Sequence, residues 1–247
     1  MMLAAVLSAL LSPAFAADAP YLPDMAPPKA SPGWQKQGRS LLLYDEEGAL
    51  VQEHGLSESE EGAGAKIVAH TMAAGASANG RAAWLLDLRI GWNYAKTKIL
   101  DSRRRLTVFG AAGAELWNDT DADAPEQGEP VALSDDGKTA VYARRDGVAG
   151  PWSQVARDWA GNIMMAVGPF PRMMSLSLTP NGRFVMARWA VPDKSATHTF
   201  LDLKARTRKD APSSDMTLGL ARVDDEGVVR SGRRVVFELA ASTETAK

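Results

Sequence analysis

One short segment of this sequence carries alternating carboxylates that could bind a metal cation. Asp119, Asp121 and Asp123 occupy every second position of one short segment. This spacing allows carboxylate oxygens to converge on a hard cation, as at the start of a calcium-binding loop. Ala124 replaces the glycine that such a loop requires, and Pro130 takes the place of its final bidentate acid. We therefore predict no cofactor and no metal, and keep calcium at the three aspartates as the alternative.

Aromatic side chains accompany ionisable ones in several segments between the hydrophobic runs. Grouped on one face of a fold, they would hold a sugar, a cationic peptide or a cation. The alternative is that the tryptophans cap the edges of sheets and that the acids belong to a solvated loop. The candidate residues for binding a ligand or partner are Trp92, Tyr94, Asp119, Asp121, Asp123, Trp152, Asp193 and His198.

The residues available for catalysis are few. The absence of cysteine excludes thiol catalysis, disulfides and cysteine zinc sites. The three histidines, His54, His70 and His198, lie far apart in the sequence. Ser77 lacks the second glycine of a nucleophile elbow, and the nearness of Ser195 to His198 in sequence does not make a triad, which is a spatial arrangement. We therefore predict no catalytic residue.

The first sixteen residues predict export. They carry no charge, contain an apolar run from Leu3 to Leu11, and place small residues at Ala14 and Ala16, where a signal peptidase would cleave. The run is too short to cross a bilayer, so we expect a periplasmic or secreted protein without stable membrane insertion. The alternatives are an uncleaved anchor and a buried N-terminal helix. Residues 17–33 contain five prolines and are predicted to form an extended linker.

Two kinds of hairpin alternate along the rest of the chain. In the first kind, a tight turn that ends in glycine joins two apolar, β-prone runs, and these glycines are Gly80, Gly137, Gly182 and Gly227. The pairs Asn-Gly and Asp-Gly at these turns predict two-residue hairpin loops in which both residues have positive φ. The second kind turns at residues 47–48, 112–113 and 161–162. One hairpin of each kind per period of about 45 residues makes a four-stranded antiparallel blade.

Two of the repeats support a family resemblance. Residues 131–142 (VALSDDGKTAVY) and residues 178–186 (LTPNGRFVM) resemble the SPDGK repeat of TolB-type, WD-repeat-like β-propellers of bacterial exported proteins. The sequence contains neither a Trp-Asp nor a Gly-His pair, so the resemblance does not extend to the intracellular WD-repeat type. The resemblance implies a protein that binds a partner through its loops, although a fold alone does not fix a function.

These patterns predict an all-β fold, a β-propeller of four or five four-stranded antiparallel blades. We expect the hairpins at residues 41–51 and 216–238 to pair and close the ring, since closure removes exposed edge strands. An open arc that closes by dimerising is the alternative. The predicted domains are a signal peptide (1–16), a proline-rich linker (17–33), the propeller (34–240) and a disordered tail (241–247).

The function predicted from the sequence is that of a non-catalytic module whose loop face binds a protein or peptide in the cell envelope. A nucleic-acid partner is not expected, because 28 basic and 30 acidic side chains nearly balance. The first alternative is a hydrolase of a glycan or lactone, in which acids such as Asp119, Asp121, Glu126 and Asp193 act at the channel mouth. The second is a structural component of an envelope assembly.

Overall fold

A computed structural model describes residues 30–38, 40–55, 59–62, 65–93, 95, 99–146, 150–190, 196–212 and 221–239. The predicted signal peptide, most of the linker and the predicted tail lie outside these ranges and remain predictions. The described residues form twenty β-strands in five antiparallel sheets, so the all-β antiparallel prediction is confirmed. No helix in this part of the chain is long and apolar enough to cross a lipid bilayer.

The five sheets, named I to V here, follow one another along the chain. Sheet I contains β1 (Gly33–Gln37), β2 (Ser40–Tyr44) and β3 (Leu50–His54). Sheet II contains β4 (Ser59–Gly62), β5 (Ala65–Ala76), β6 (Ala83–Asn93), β7 (Ile99–Phe109) and β8 (Glu115–Asp119). Sheet III contains β9 (Ala122–Asp123), β10 (Val131–Leu133), β11 (Thr139–Arg145), β12 (Trp152–Asp158) and β13 (Ile163–Phe170).

The last two sheets are shorter. Sheet IV contains β14 (Arg172–Leu178), β15 (Phe184–Ala190), β16 (Thr197–Asp202) and β17 (Thr207–Pro212). Sheet V contains β18 (Ala221–Val223), β19 (Val228–Ser231) and β20 (Arg234–Glu238). Strands pair in chain order, except that β9 and β10 both pair with β11, at different heights of the same strand. The predicted four-stranded repeat is therefore present in sheet IV and, with an added strand, in sheets II and III.

A hydroxyl side chain organises three of the four turns of the first kind, whereas in the fourth Asp224 Oδ1 accepts the corresponding hydrogen bond, from the amide of Val228 (2.8 Å). Thr179 Oγ1 accepts a hydrogen bond from the amide of Phe184 (3.0 Å) and donates one to Asn181 Oδ1 (2.8 Å). Asn181 Oδ1 in turn accepts from the amide of Arg183 (2.9 Å). The same bonds recur in the turns that begin at Ser77 and Ser134. In these turns the glycine alone has a positive φ, so the prediction of two-residue loops was wrong.

These turns form a row in which each contacts the next through the backbone. The amide of Asn79 donates to the carbonyl of Asp135 (3.2 Å), and the amide of Asp135 donates to that of Pro180 (2.8 Å). The amide of Asn181 donates to Asp225 Oδ1 (3.0 Å) in the turn of sheet V. Because one turn of every sheet from II to V joins this row, the four sheets present corresponding ends of their strands to the same side of the molecule.

Each pair of neighbouring sheets encloses its own hydrophobic core. The largest lies between sheets III and IV and includes Val141, Phe170, Met173 and Val185, while separate clusters fill the other three spaces. Neighbouring sheets therefore pack face to face, and burial between them supplies most of the stability.

Among the described residues, no strand pairing and no core cluster joins sheet V to sheet I. The predicted closure was therefore wrong: Leu41–Leu43 and the strands of residues 221–238 belong to separate three-stranded sheets. Residues 33–37, which the sequence assigned to the end of the linker and the start of the domain, supply the third strand of sheet I. The end sheets expose polar side chains, such as Glu53 on sheet I and Arg222 on sheet V, together with the large apolar side chains Leu50, Val51 and Val235.

Candidate functional site

The carboxylates of the acidic segment that suggested a cation site form ion pairs with arginine side chains. Asp119 is buried and accepts hydrogen bonds from Tyr142 Oη (2.6 Å) and from an Arg157 guanidinium nitrogen (3.0 Å). Arg157 also donates to Tyr142 Oη (2.8 Å) and lies over the ring of Trp117. Burial and the adjacent Asp119 carboxylate raise the pKa of Tyr142, so its phenol stays protonated. This cluster joins strands of sheets II and III and has the character of a structural ion pair.

The other two aspartates of the segment are also paired. Asp121 forms an ion pair with Arg144, and Asp123 with Arg104 (2.7 Å). Burial raises the pKa of Asp123, and the charge of Arg104 offsets this only in part. Within the described ranges, no group of three or more His, Asp or Glu side chains converges as metal ligands do. The calcium alternative therefore lacks free carboxylates at the three aspartates, because guanidinium groups already bind them.

Of the remaining predicted site residues, the structure describes the side chains of Trp152 and His198, and it places them on different sides of sheet IV. Trp152 is buried in the core between sheets III and IV, with Arg145 over its ring at 5.2 Å. His198 is buried on β16 and stacks on Phe200, on the side of sheet IV that faces sheet V. Trp92 lies at the end of β6, but its side chain is outside the described part, as are Tyr94 and Asp193 entirely.

The described residues form a cavity of about 380 Å³ between β1 of sheet I, β5 and β6 of sheet II, and β10 of sheet III with the segment before it. Its wall on β5 spans residues 74–76, where the strand pairs with β6 on one side only, because β4 pairs only residues 65–68. Backbone groups of this free edge are therefore available to a ligand. The other lining residues are Trp34, Gln35, Lys36, Ser77, Trp84, Glu129, Val131 and Leu133.

Charge and hydrophobic surface are separated in this cavity, which we call the inner-edge cavity. Lys36 Nζ and Glu129 Oε1 lie 3.7 Å apart, and both side chains are well exposed (43% and 63%). Trp84 and Val131 are buried and contribute apolar wall. Trp34 is fixed by a hydrogen bond from its indole nitrogen to the carbonyl of Gly110 (2.8 Å). The arrangement places one cation and one anion beside an apolar pocket.

Other polar residues near the cavity have structural partners. Ser77 Oγ accepts a hydrogen bond from the amide of Ala82 and donates to the Asn79 side chain, so it serves the turn and is not positioned as a nucleophile. Glu126, one of the acids of the hydrolase alternative, forms an ion pair with Arg172. Neither residue is left free for acid–base chemistry.

Sequence reasoning missed this cavity. It singled out none of Trp34, Lys36, Trp84 and Glu129 as a site residue. Lys36 and Glu129 are distant in sequence and belong to no motif, so only the packing of sheets I, II and III against one another brings them together. No signal in the sequence identifies the cavity, because its lining residues come from three different sheets.

No family model and no curated protein matches the chain. Among solved structures, it is similar to the β-propeller domain of the Trilobed protease from Pyrococcus furiosus, described as having an open velcro topology (12% identity, TM-score 0.41). It is also similar to prolyl oligopeptidase B from Galerina marginata (9%, 0.44) and to a prolyl endopeptidase (15%, 0.41). These matches cover 58%, 65% and 73% of this chain, but only 43%, 25% and 28% of the matched chains.

The prediction of a non-catalytic module that binds a protein through its loop face is corrected. Peptidases and a domain of one are among the solved structures that match, at 9–15% identity, and none of the comparisons supports a non-catalytic role. Of the residues assigned to the loop face, Trp152 and His198 are buried and the three aspartates are paired with arginines, while the side chains of Trp92, Tyr94 and Asp193 lie outside the described part. The TolB-type assignment rests on the repeat motif alone.

Proposed function

We propose that this protein binds a small organic molecule in the inner-edge cavity. The observation that carries the proposal is the combination of an apolar wall, an unpaired strand edge and a loosely held ion pair around one space. Sites for small ligands are concave and mostly apolar, with a few polar groups that fix orientation. Their volumes begin at roughly 300 Å³, so a cavity of about 380 Å³ suits a compact ligand.

The ion pair supports a binding role because it contributes little to folding. An exposed Lys–Glu pair is worth roughly 0–1 kcal/mol, since water already solvates both charges. Lys36 and Glu129 can therefore exchange partners at low cost when a ligand enters. By contrast, the Asp119 cluster is buried and saturated, and moving its arginines would leave an uncompensated charge.

Filling the cavity tests the proposal. Ala76 and Leu133 line opposite sides of the space and are half-buried, so Ala76→Leu and Leu133→Phe should occupy it. We expect ligand-observed NMR with a library of fragment-sized molecules to identify compounds that bind the wild type and lose binding in both variants. Ala205→Leu, on the exposed β16–β17 turn, is the matched control and should bind them unchanged. Fragments that bind all four proteins equally, or none at all, would contradict the proposal.

A further inference from the structure

The charges at the inner-edge cavity specify a class of ligand, an inference that rests on the binding function proposed above. Lys36 Nζ and Glu129 Oε1 are 3.7 Å apart, line the same cavity and come from different sheets, Lys36 from β1 of sheet I and Glu129 from the segment before β10 of sheet III. A ligand with a single charge would satisfy one of these groups and repel or ignore the other. A neutral ligand would use neither. Only a ligand that carries both charges satisfies both protein groups at once.

The spacing of the two protein charges matches one covalent arrangement. In an α-amino acid, one carbon separates the ammonium nitrogen from the carboxyl carbon, so nitrogen and carboxylate oxygen lie about 3 Å apart. Placed beside the Lys36–Glu129 pair, these groups complete a square of alternating charge. The ligand carboxylate faces the Lys36 ammonium, and the ligand ammonium faces the Glu129 carboxylate. A chain that separates the two ligand charges by several more carbons cannot form this square in an extended conformation.

The walls of the cavity indicate the side chain. Trp84, Val131 and Leu133 line the space beyond the ion pair, and no other charged residue lines it. Burying a polar or charged ligand side chain there would cost free energy, whereas an aliphatic or aromatic one gains from leaving water. We propose that the inner-edge cavity binds a free α-amino acid with an apolar side chain.

Leucine and four analogues separate the contributions of the ligand's carboxylate, its ammonium group and their spacing to binding. The probes are L-leucine, 3-methylbutylamine (no carboxylate), 4-methylpentanoate (no ammonium), 4-methylpentanamide (neutral) and 6-aminohexanoate (separated charges). By isothermal titration calorimetry we expect leucine to bind at least tenfold tighter than each of the others. In Lys36→Met the advantage of leucine over the amine should vanish, and in Glu129→Gln its advantage over 4-methylpentanoate should vanish. Ala205→Leu should preserve the whole ranking.

The outcomes distinguish this inference from the proposed function. If the neutral amide binds as tightly as leucine and loses binding in Ala76→Leu, the cavity binds ligands but the amino-acid assignment is wrong. If leucine binds Lys36→Met and Glu129→Gln as tightly as the wild type, the amino-acid assignment is likewise wrong. If none of the five probes binds, the amino-acid assignment fails, and the fragment library then decides whether the cavity binds anything. The charge exchange Lys36→Glu with Glu129→Lys should restore part of the leucine affinity, because the square can form with the ligand reversed.

Discussion

Individual side chains in this protein are mostly paired, and Gln154 is an exception. It lies on β12 with no exposed surface, and within the described part of the chain neither its oxygen nor its nitrogen has a hydrogen-bond partner. Its strand neighbours opposite are Ala143 and Val167, both apolar. A buried amide without partners loses its hydration and recovers nothing, at a cost of about 1–3 kcal/mol.

Replacing this amide should stabilise the fold. We expect Gln154→Met, which keeps the length of the side chain, to raise the free energy of unfolding by about 1–3 kcal/mol in urea titrations. Gln127→Met, at an exposed position, is the matched control and should change stability by less than about 0.5 kcal/mol. A Gln154→Met protein less stable than the wild type would show that the amide has a partner in solution.

Residue-scale reasoning from sequence failed at the aspartates for a physical reason. The alternation of Asp119, Asp121 and Asp123 was correctly identified as a cluster of carboxylates. Their counter-ions come from Arg104, Arg144 and Arg157 on other strands, and nothing in the local sequence distinguishes a metal from a guanidinium as the cation. The same limit applies to Lys36 and Glu129, whose pairing depends on how whole sheets stack.

At the scale of elements, the turns of the first kind were the most predictable feature. Their sequence pattern is local, and the hydroxyl, the amide or carboxylate two residues later, and the glycine each have a defined role. The contact between turns was not predictable. A Cβ added to Gly182 would lie 2.9 Å from Ser134 Cβ and from Thr139 Oγ1 of the preceding sheet, so this glycine serves both the turn and the packing.

Alanine substitutions separate these two roles of glycine. Gly128 has a similar φ (80° against 74°) but nothing within 4 Å of an added Cβ. We expect Gly128→Ala to cost about 1–2 kcal/mol, the price of the left-handed conformation alone. Gly182→Ala should cost at least a further 1 kcal/mol or so, because the added methyl group also forces the two turns apart. Equal losses in thermal or urea denaturation would mean that the stacking of turns adds no constraint.

For the whole molecule, the spaces between sheets contain two histidines whose charged form is disfavoured. Burial lowers the pKa of His54, which stacks against Trp34 and Phe109 between sheets I and II, although the charge of Asp87 works in the opposite direction. Burial and the charge of Arg188 lower the pKa of His198. In the unfolded chain both histidines take up protons near the ordinary pKa of about 6.5.

Stability should therefore fall as the solution becomes mildly acidic. Below the unfolded pKa of about 6.5 the unfolded chain binds protons that the folded chain refuses, so the free energy of unfolding decreases until the pH reaches the lowered folded values. We expect the midpoint of thermal unfolding to fall between pH 7.5 and pH 5. The double variant His54→Gln, His198→Gln should show a smaller fall across the same interval. An identical pH profile for both proteins would exclude the histidines as its cause.

The architecture of the whole molecule could be predicted only in part. Antiparallel sheets and their period of about 45 residues follow from the turn glycines and the alternating hairpins. Closure could not be predicted, because it depends on the twist accumulated over every sheet and on whether the two end sheets pair. The strand β1 of sheet I was not predicted, because it lies directly after a proline-rich segment and carries a single large apolar residue, Trp34.

Where sheets contact only their neighbours along the chain, ring closure places no constraint on the number of sheets. In a closed propeller, the angle between neighbouring blades is fixed by their number, so adding or removing one blade changes the packing of all the others. Among the described residues, sheets V and I neither pair nor share a core, so neither end sheet fixes the position of the other. Insertion of another unit of about 45 residues between sheets III and IV would therefore leave the inner-edge cavity, which sheets I, II and III line, unchanged.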